Sequence, residues 1–213
     1  KNKKLYFNLT TRIRKLSTEI LNKNINIIIF ASGNGSNAEN IIRYFTKTNH
    51  NIQFKVITNN QNAGVVKRCE NLNIECLIFK KKDFENTKVL KFLEKIKPYL
   101  IILAGFLLKI PNNIINNFEK KIVNIHPSLL PKYGGKGMYG INVHKKVIAN
   151  KEKESGISIH YVNGNYDEGE IIFQKSIEIN YPSDSGKLSK KIHKLEMEYL
   201  PTTIEKLIKH IHN

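Results

Sequence analysis

The sequence predicts an α/β domain: a mostly parallel sheet with helices on both faces and an antiparallel addition at the C-terminal end. Three observations carry this. From Ile25 onward short apolar runs alternate with helix-like stretches, and the early runs are apolar at successive positions, as strands covered on both sides must be. After Tyr139 the rhythm changes to a helix, two alternating strands and a long helical tail.

The first strand is expected over Ile25 to Ala31, followed by the glycine-containing turn SGNGSN and a helix from about Ser36. Further strands are expected at Gln53 to Thr58, Glu75 to Phe79, Tyr99 to Ala104 and Lys121 to Ile125, with helices starting near Ala63, Asp83 and Pro111. Parallel strands joined this way imply right-handed crossovers. Beyond them come a helix over Ile141 to Asn150, strands at Gly156 to Val162 and Glu170 to Ile179, and a helix from about Ser183. Pro201 is expected to kink or break that last helix, because it lacks an N–H and its ring crowds the preceding turn. No internal repeat or low-complexity linker divides the chain, so residues 25–213 read as one Rossmann-like domain. Residues 1–24 read as a separate basic extension with one acid, Glu19, and apolar Ile13, Leu16 and Ile20 at helical spacing. Such a segment suits a docking helix or an organelle leader, and otherwise a cytoplasmic location is expected.

Lys and Arg number 35 against 18 Asp and Glu, a net charge of +17. Only four of the basic residues are Arg (Arg12, Arg14, Arg43 and Arg68), and Arg is the side chain whose planar fork grips phosphates and guanine edges. Lys, Asn and Ile all use A- and T-rich codons, so genome bias accounts for the charge, and no specific nucleic-acid partner is expected. A basic nucleic-acid-binding protein on the same scaffold stays as the competing reading, with the steep salt dependence that counterion release imposes. No apolar run nears the ~20 residues of a membrane helix, so no membrane partner is expected. Cys69 and Cys76 form neither a disulfide framework nor a zinc motif, which fits a reducing compartment.

Open α/β sheets bind ligands in the loops after their strands, and three of those loops stand out. In Ser32 to Asn37, Gly33 and Gly35 allow unusual backbone angles, and Ser36 and Asn37 add donors beside the free N–H groups of a helix start, a fit for phosphate. Gly33, Gly35 and Ala38 also satisfy GxGxxA, but Thr58, Asn59 and Asn60 stand where a dinucleotide site needs an acid. In Val123 to Gly140, Asn124 and His126 are two apart on a strand and so share a face, Pro127 and Pro131 stiffen the exit, and four glycines from Gly134 to Gly140 suit a lid over substrate. In Asn163 to Glu170, Asp167 sits between Gly164 and Gly169. If this loop folds over the fifth strand, Asp167 would bond His126 and raise its pKa.

The motifs SGNGSN, LAGFLLKIP, NIHPSLLPKYGG, SGISIHYV and YDEGEIIFQ, in this order and spacing, resemble the glycinamide ribonucleotide branch of the folate-dependent formyltransferase family, over about Asn26 to Leu200. The resemblance implies transfer of a formyl group from 10-formyltetrahydrofolate to the amine of glycinamide ribonucleotide, in purine synthesis, without metal. Hydrolysis of formyltetrahydrofolate is the alternative within the family; there the NIHPS motif varies and a regulatory domain is added. The resemblance implies catalytic roles for Asn124, His126 and Asp167, and phosphate contacts from Gly35, Ser36 and Asn37. It also implies that Glu196 holds the ribose hydroxyls and that Leu107, Leu108, Lys109 and Ile110 line the pterin slot beside Asn124. Thr87 stands where the family often has an Arg for the folate tail, so adjacent Lys88 is the expected substitute. Ser158 and His160 are expected on one strand face toward the site, His160 as support. The assembly is expected to be a monomer or homodimer.

Overall fold

The computed structural model describes residues 25–48 and 51–210; the expected extension over 1–24 lies outside the described residues. The elements run β1 (Ile25–Phe30), α1 (Ser36–Phe45), β2 (Ile52–Thr58), α2 (Gly64–Leu72), β3 (Glu75–Ile78), α3 (Lys81–Glu85) and α4 (Lys88–Ile96). They continue with β4 (Leu100–Leu103), α5 (Asn112–Asn117), β5 (Ile122–His126), α6 (Ile141–Ala149), β6 (Glu154–Tyr161), β7 (Ile171–Glu178) and α7 (Ser185–His210). The seven strands form one sheet in the order β3-β2-β1-β4-β5-β6-β7. The first five are parallel, whereas β6 runs antiparallel to β5 and β7 to β6.

The all-apolar β1 sits near the middle of this sheet and feeds both of its faces. Ile27 and Ile29 join a core that includes Ile41, Phe45, Leu200 and Ile204, while Ile28 and Phe30 join a second core with Phe84, Leu93 and Ile114. Each fully buried side chain of this size contributes about 1.5–3 kcal/mol, so burial on both faces explains why β1 carries no polar alternation. The strand order reverses at β1: β2 lies on one side of it and β4 on the other. The loops leaving β1 and β4 therefore part there and open a crevice at the carboxyl ends of the strands.

Ser32 ties the floor of that crevice together. Its N–H donates to Gly105 O at 3.0 Å, its Oγ donates to Asn59 Oδ1 at 2.6 Å, and the same Oγ accepts the Leu107 N–H at 2.9 Å. Asn59, found where a dinucleotide site would hold an acid, is thus committed to the protein itself.

Two expectations need correction. The single helix expected from near Asp83 is two, α3 and α4, because Thr87 takes a left-handed backbone (φ 64°) that ends one helical path and starts another. Pro201 does not break the last helix, which runs unbroken from Ser185 to His210. The missing N–H at Pro201 leaves the carbonyl of Met197 without its helical donor, and Asn40 of α1 supplies one, Nδ2 to O at 2.6 Å. Removing that donor in Asn40→Ala is expected to cost about 1–2 kcal/mol, read as a lower urea midpoint with an unchanged slope. An unchanged midpoint would show that the carbonyl finds another donor.

Candidate active site

A cleft of about 700 Å³ opens at the carboxyl ends of β1, β4 and β5. Gly33 and Asn37 line it from the first loop, Phe106 and Leu107 from the loop after β4, and Asn124 and His126 from the end of β5. Gly135 to Gly140, His144, Tyr166 and Asp167 close it, and α7 contributes Ile192, His193 and Glu196. A smaller cavity of about 90 Å³ adjoins it, shares Phe106, Leu107, Asn124, Tyr166 and Asp167, and adds Leu108, Lys109 and Ile110.

Strand geometry brings the central groups together. Asn124 and His126 are alternate residues of β5, which turns both to one face, and β6 pairs alongside with His160 opposite Asn124. The Asp167 loop, between β6 and β7, folds back over them. His126 Nδ1 lies 3.5 Å from Asp167 Oδ2, and Asn124 Nδ2 donates to Asp167 Oδ1 at 3.4 Å. Both are long contacts, so Asn124 can turn its amide to a bound group without losing a full-strength bond. Asp167 has a left-handed backbone (φ 57°) and its Oδ2 accepts the Gly135 N–H at 2.9 Å, which joins it to the glycine-rich segment.

The tautomers follow from the backbone. His160 Nδ1–H donates to Tyr161 O at 2.8 Å, because a carbonyl can only accept, and its bare Nε2 accepts from Asn124 Nδ2 at 3.1 Å. Likewise His126 Nε2 lies 2.8 Å from Tyr133 O and must carry the proton there.

Burial pushes the His126 pKa below its usual value, and the opposing charge of Asp167 does not outweigh it. Sequence reasoning expected Asp167 to raise that pKa; the carboxylate does pull upward, but the ring is only 4% exposed and desolvation dominates. For Asp167 burial is again the largest influence and acts upward. The His160 and His126 imidazoles and the Gly135 N–H together overcome it, and the carboxyl stays below its ordinary range. Asp167 is therefore ionised at neutral pH and His126 is neutral.

At the other end, Gly35 precedes α1 with φ 77°, and a Cβ there would run into Val65, so glycine is required on two counts. Asn37 Nδ2 donates to Glu196 Oε2 at 3.0 Å, and His193 Nδ1 lies 3.2 Å from the same oxygen. Glu196 in turn raises the His193 pKa. The Oδ1 of Asn37 is buried with no hydrogen-bond partner among the described residues.

Of the expected site residues, Asn124, His126, Asp167, Asn37, Glu196 and Leu107 line the main cleft, and Leu108, Lys109 and Ile110 line the smaller cavity. Gly35 and Ser36 form the turn and the first residue of α1 behind Asn37. Lys88 lines neither cavity: its Nζ lies 3.8 Å from Asp83 Oδ1 and over the Phe79 ring. Ser158 lines neither cavity and braces the turn after β5, its Oγ donating to Ser128 O and accepting the Leu130 N–H.

Sequence reasoning missed His144 and His193, which line the cleft, and Tyr133, which bonds His126. Spacing along the helix could have flagged His193, one turn before Glu196 on the same face. His144 carried no such signal. Among the described residues no three His, Cys, Asp or Glu side chains cluster as a metal site requires, and no helix is long and apolar enough to cross a membrane.

Comparison with known proteins fits this geometry. Residues 25–204 match the model of the formyl transferase family. The chain is 34% identical over 186 residues to the phosphoribosylglycinamide formyltransferase of Bacillus subtilis, covering 84% of this chain and 93% of that protein. It is also 34% identical over 194 residues to the chloroplastic phosphoribosylglycinamide formyltransferase of Arabidopsis thaliana, covering 86% of this chain and 66% of that longer protein. Among solved structures, the phosphoribosylglycinamide formyltransferase of Anaplasma phagocytophilum superposes with a TM-score of 0.79 at 26% identity, over 88% of this chain and 89% of that one. With a family match that runs from the first residue of β1 into α7, the chain belongs to the formyl transferase family.

Proposed function

We propose that this protein transfers the formyl group of 10-formyltetrahydrofolate to the amine of glycinamide ribonucleotide, a step of purine synthesis. The observation that supports this most directly is the convergence of Asn124, His126 and Asp167 in one cleft whose far end is the glycine turn and the start of α1. A helix start with Gly35, Ser36 and Asn37 suits the phosphate of the ribonucleotide, and Glu196 beside Asn37 suits its ribose hydroxyls. The smaller cavity suits a flat pterin, taken by the backbone and apolar side chains of Leu107 to Ile110.

The amine nitrogen attacks the formyl carbon, and negative charge grows on the formyl oxygen. Asn124 Nδ2 supplies a donor there, turning from its long contact with Asp167. The new anion beside His126 offsets the burial that keeps the ring neutral, so the ring gains a proton as the intermediate forms. That proton leaves the attacking amine through a water ordered by Asp167. His126 then gives it to N10 of the folate as the bond from the formyl carbon to N10 breaks. A carbon–nitrogen bond forms, another breaks, and the proton lost by the amine reaches the leaving nitrogen.

The test is the purified protein with both substrates, following tetrahydrofolate release by absorbance. Release that requires glycinamide ribonucleotide is the expected result. Deformylation at the same rate without the ribonucleotide would replace transfer by hydrolysis.

A further inference from the structure

We infer that Tyr133 is a positioning residue for His126: held from behind by Asn150 and Glu152, it fixes which ring nitrogen of His126 is bare. The inference rests on the proposed formyl transfer and adds to it residues outside the cleft.

Tyr133 has a left-handed backbone, φ 59°, which is costly for an aromatic residue and persists only where surroundings hold it. The surroundings are specific. The Tyr133 hydroxyl donates to Glu152 Oε1 at 2.8 Å and accepts from Asn150 Nδ2 at 2.8 Å. Both partners belong to the turn between α6 and β6 and neither lines the cleft. Tyr181 extends the brace, its hydroxyl donating to the Glu152 carbonyl at 3.2 Å. The ring is thus anchored at its far end while the backbone carbonyl of the same residue points at His126 Nε2, 2.8 Å away.

A carbonyl has lone pairs and no proton, so it selects the ring form protonated at Nε2. In the neutral ring this leaves Nδ1 bare, and Nδ1 is the nitrogen beside Asp167. The proton moved in the reaction must then enter and leave at Nδ1, next to the carboxylate. If the carbonyl moved away, both tautomers would be populated and only part of the enzyme would present the bare nitrogen to the proton path.

Imidazole nitrogen-15 shifts of histidine-labelled protein test this without substrate, the His126 signals being assigned by their loss in His126→Gln. The wild-type ring is expected with Nε2 protonated and Nδ1 bare. In Tyr133→Phe, and in Glu152→Ala as a second variant, mixed tautomers are expected. Turnover should fall on the order of tenfold, since small misplacements of reacting groups are expensive. KM for both substrates should stay within about twofold, because uniform binding is untouched. A wild-type ring protonated at Nδ1 would overturn the inference. So would a Tyr133→Phe protein that melts lower but keeps both tautomer and turnover, since the bond would then serve stability alone. Should the wild type transfer no formyl group, the proposed function fails, while the nitrogen shifts still decide the role of Tyr133.

Discussion

His126→Ala is expected to lower turnover by ~10² to 10⁴ with little change in the folded state, the range for loss of a positioned acid–base group. The ring is 4% exposed, yet it lies at the end of β5 against a cleft rather than inside either apolar core, so its removal opens the cleft instead of emptying the core. The same placement makes the ring neutral at rest, because burial outweighs Asp167. Titration of the free protein by proton NMR should therefore place the His126 transition below the ordinary histidine value. Steady-state rates with both substrates check the first expectation. An alanine variant with near wild-type turnover would remove His126 from the mechanism.

Asp167→Asn is expected to cost ~10² to 10³ in turnover, comparable with the loss of one electrostatic partner at a reacting centre. The amide keeps an oxygen for the Gly135 N–H, so the loop should remain folded. The charge is what disappears. Asp167 is one of the groups that pull the His126 pKa upward against burial, so without it that pKa falls further and the ring takes a proton less readily. Two measurements separate these effects: kcat, expected to drop, and the His126 NMR titration, expected to move to lower pH than in the wild type. An unshifted titration would show that the 3.5 Å contact carries no electrostatic weight.

Much of this was legible in the residues themselves. Strands buried on both faces announce themselves as nearly unbroken apolar runs, as β1 and β4 do, and β1 to β5 all lie within a residue of their expected bounds. Asn124 and His126 were legible because strand periodicity places alternate residues on one face. What the sequence could not show was set by contacts distant along the chain. The unbroken helix through Pro201 depends on Asn40, whose donor replaces the missing one. The break at Thr87 depends on a left-handed backbone that residue type alone does not announce. The His126 pKa depends on the balance between burial and one carboxylate, and burial is known only once the chain is folded. Tyr133 acts through its carbonyl, which every residue but its neighbour-dependent direction has in common.

The tie between Asn37 and Glu196 spans 159 positions of chain, and the one between Asn40 and Met197 spans 157. One wall of the cleft is thus among the earliest parts of this domain to leave the ribosome and the opposite wall among the latest. A nascent chain stopped short of α7 lacks the far wall of the cleft and also the Leu200 and Ile204 that cover Ile27 and Ile29, so synthesis itself delays the appearance of a competent substrate site until the last helix docks.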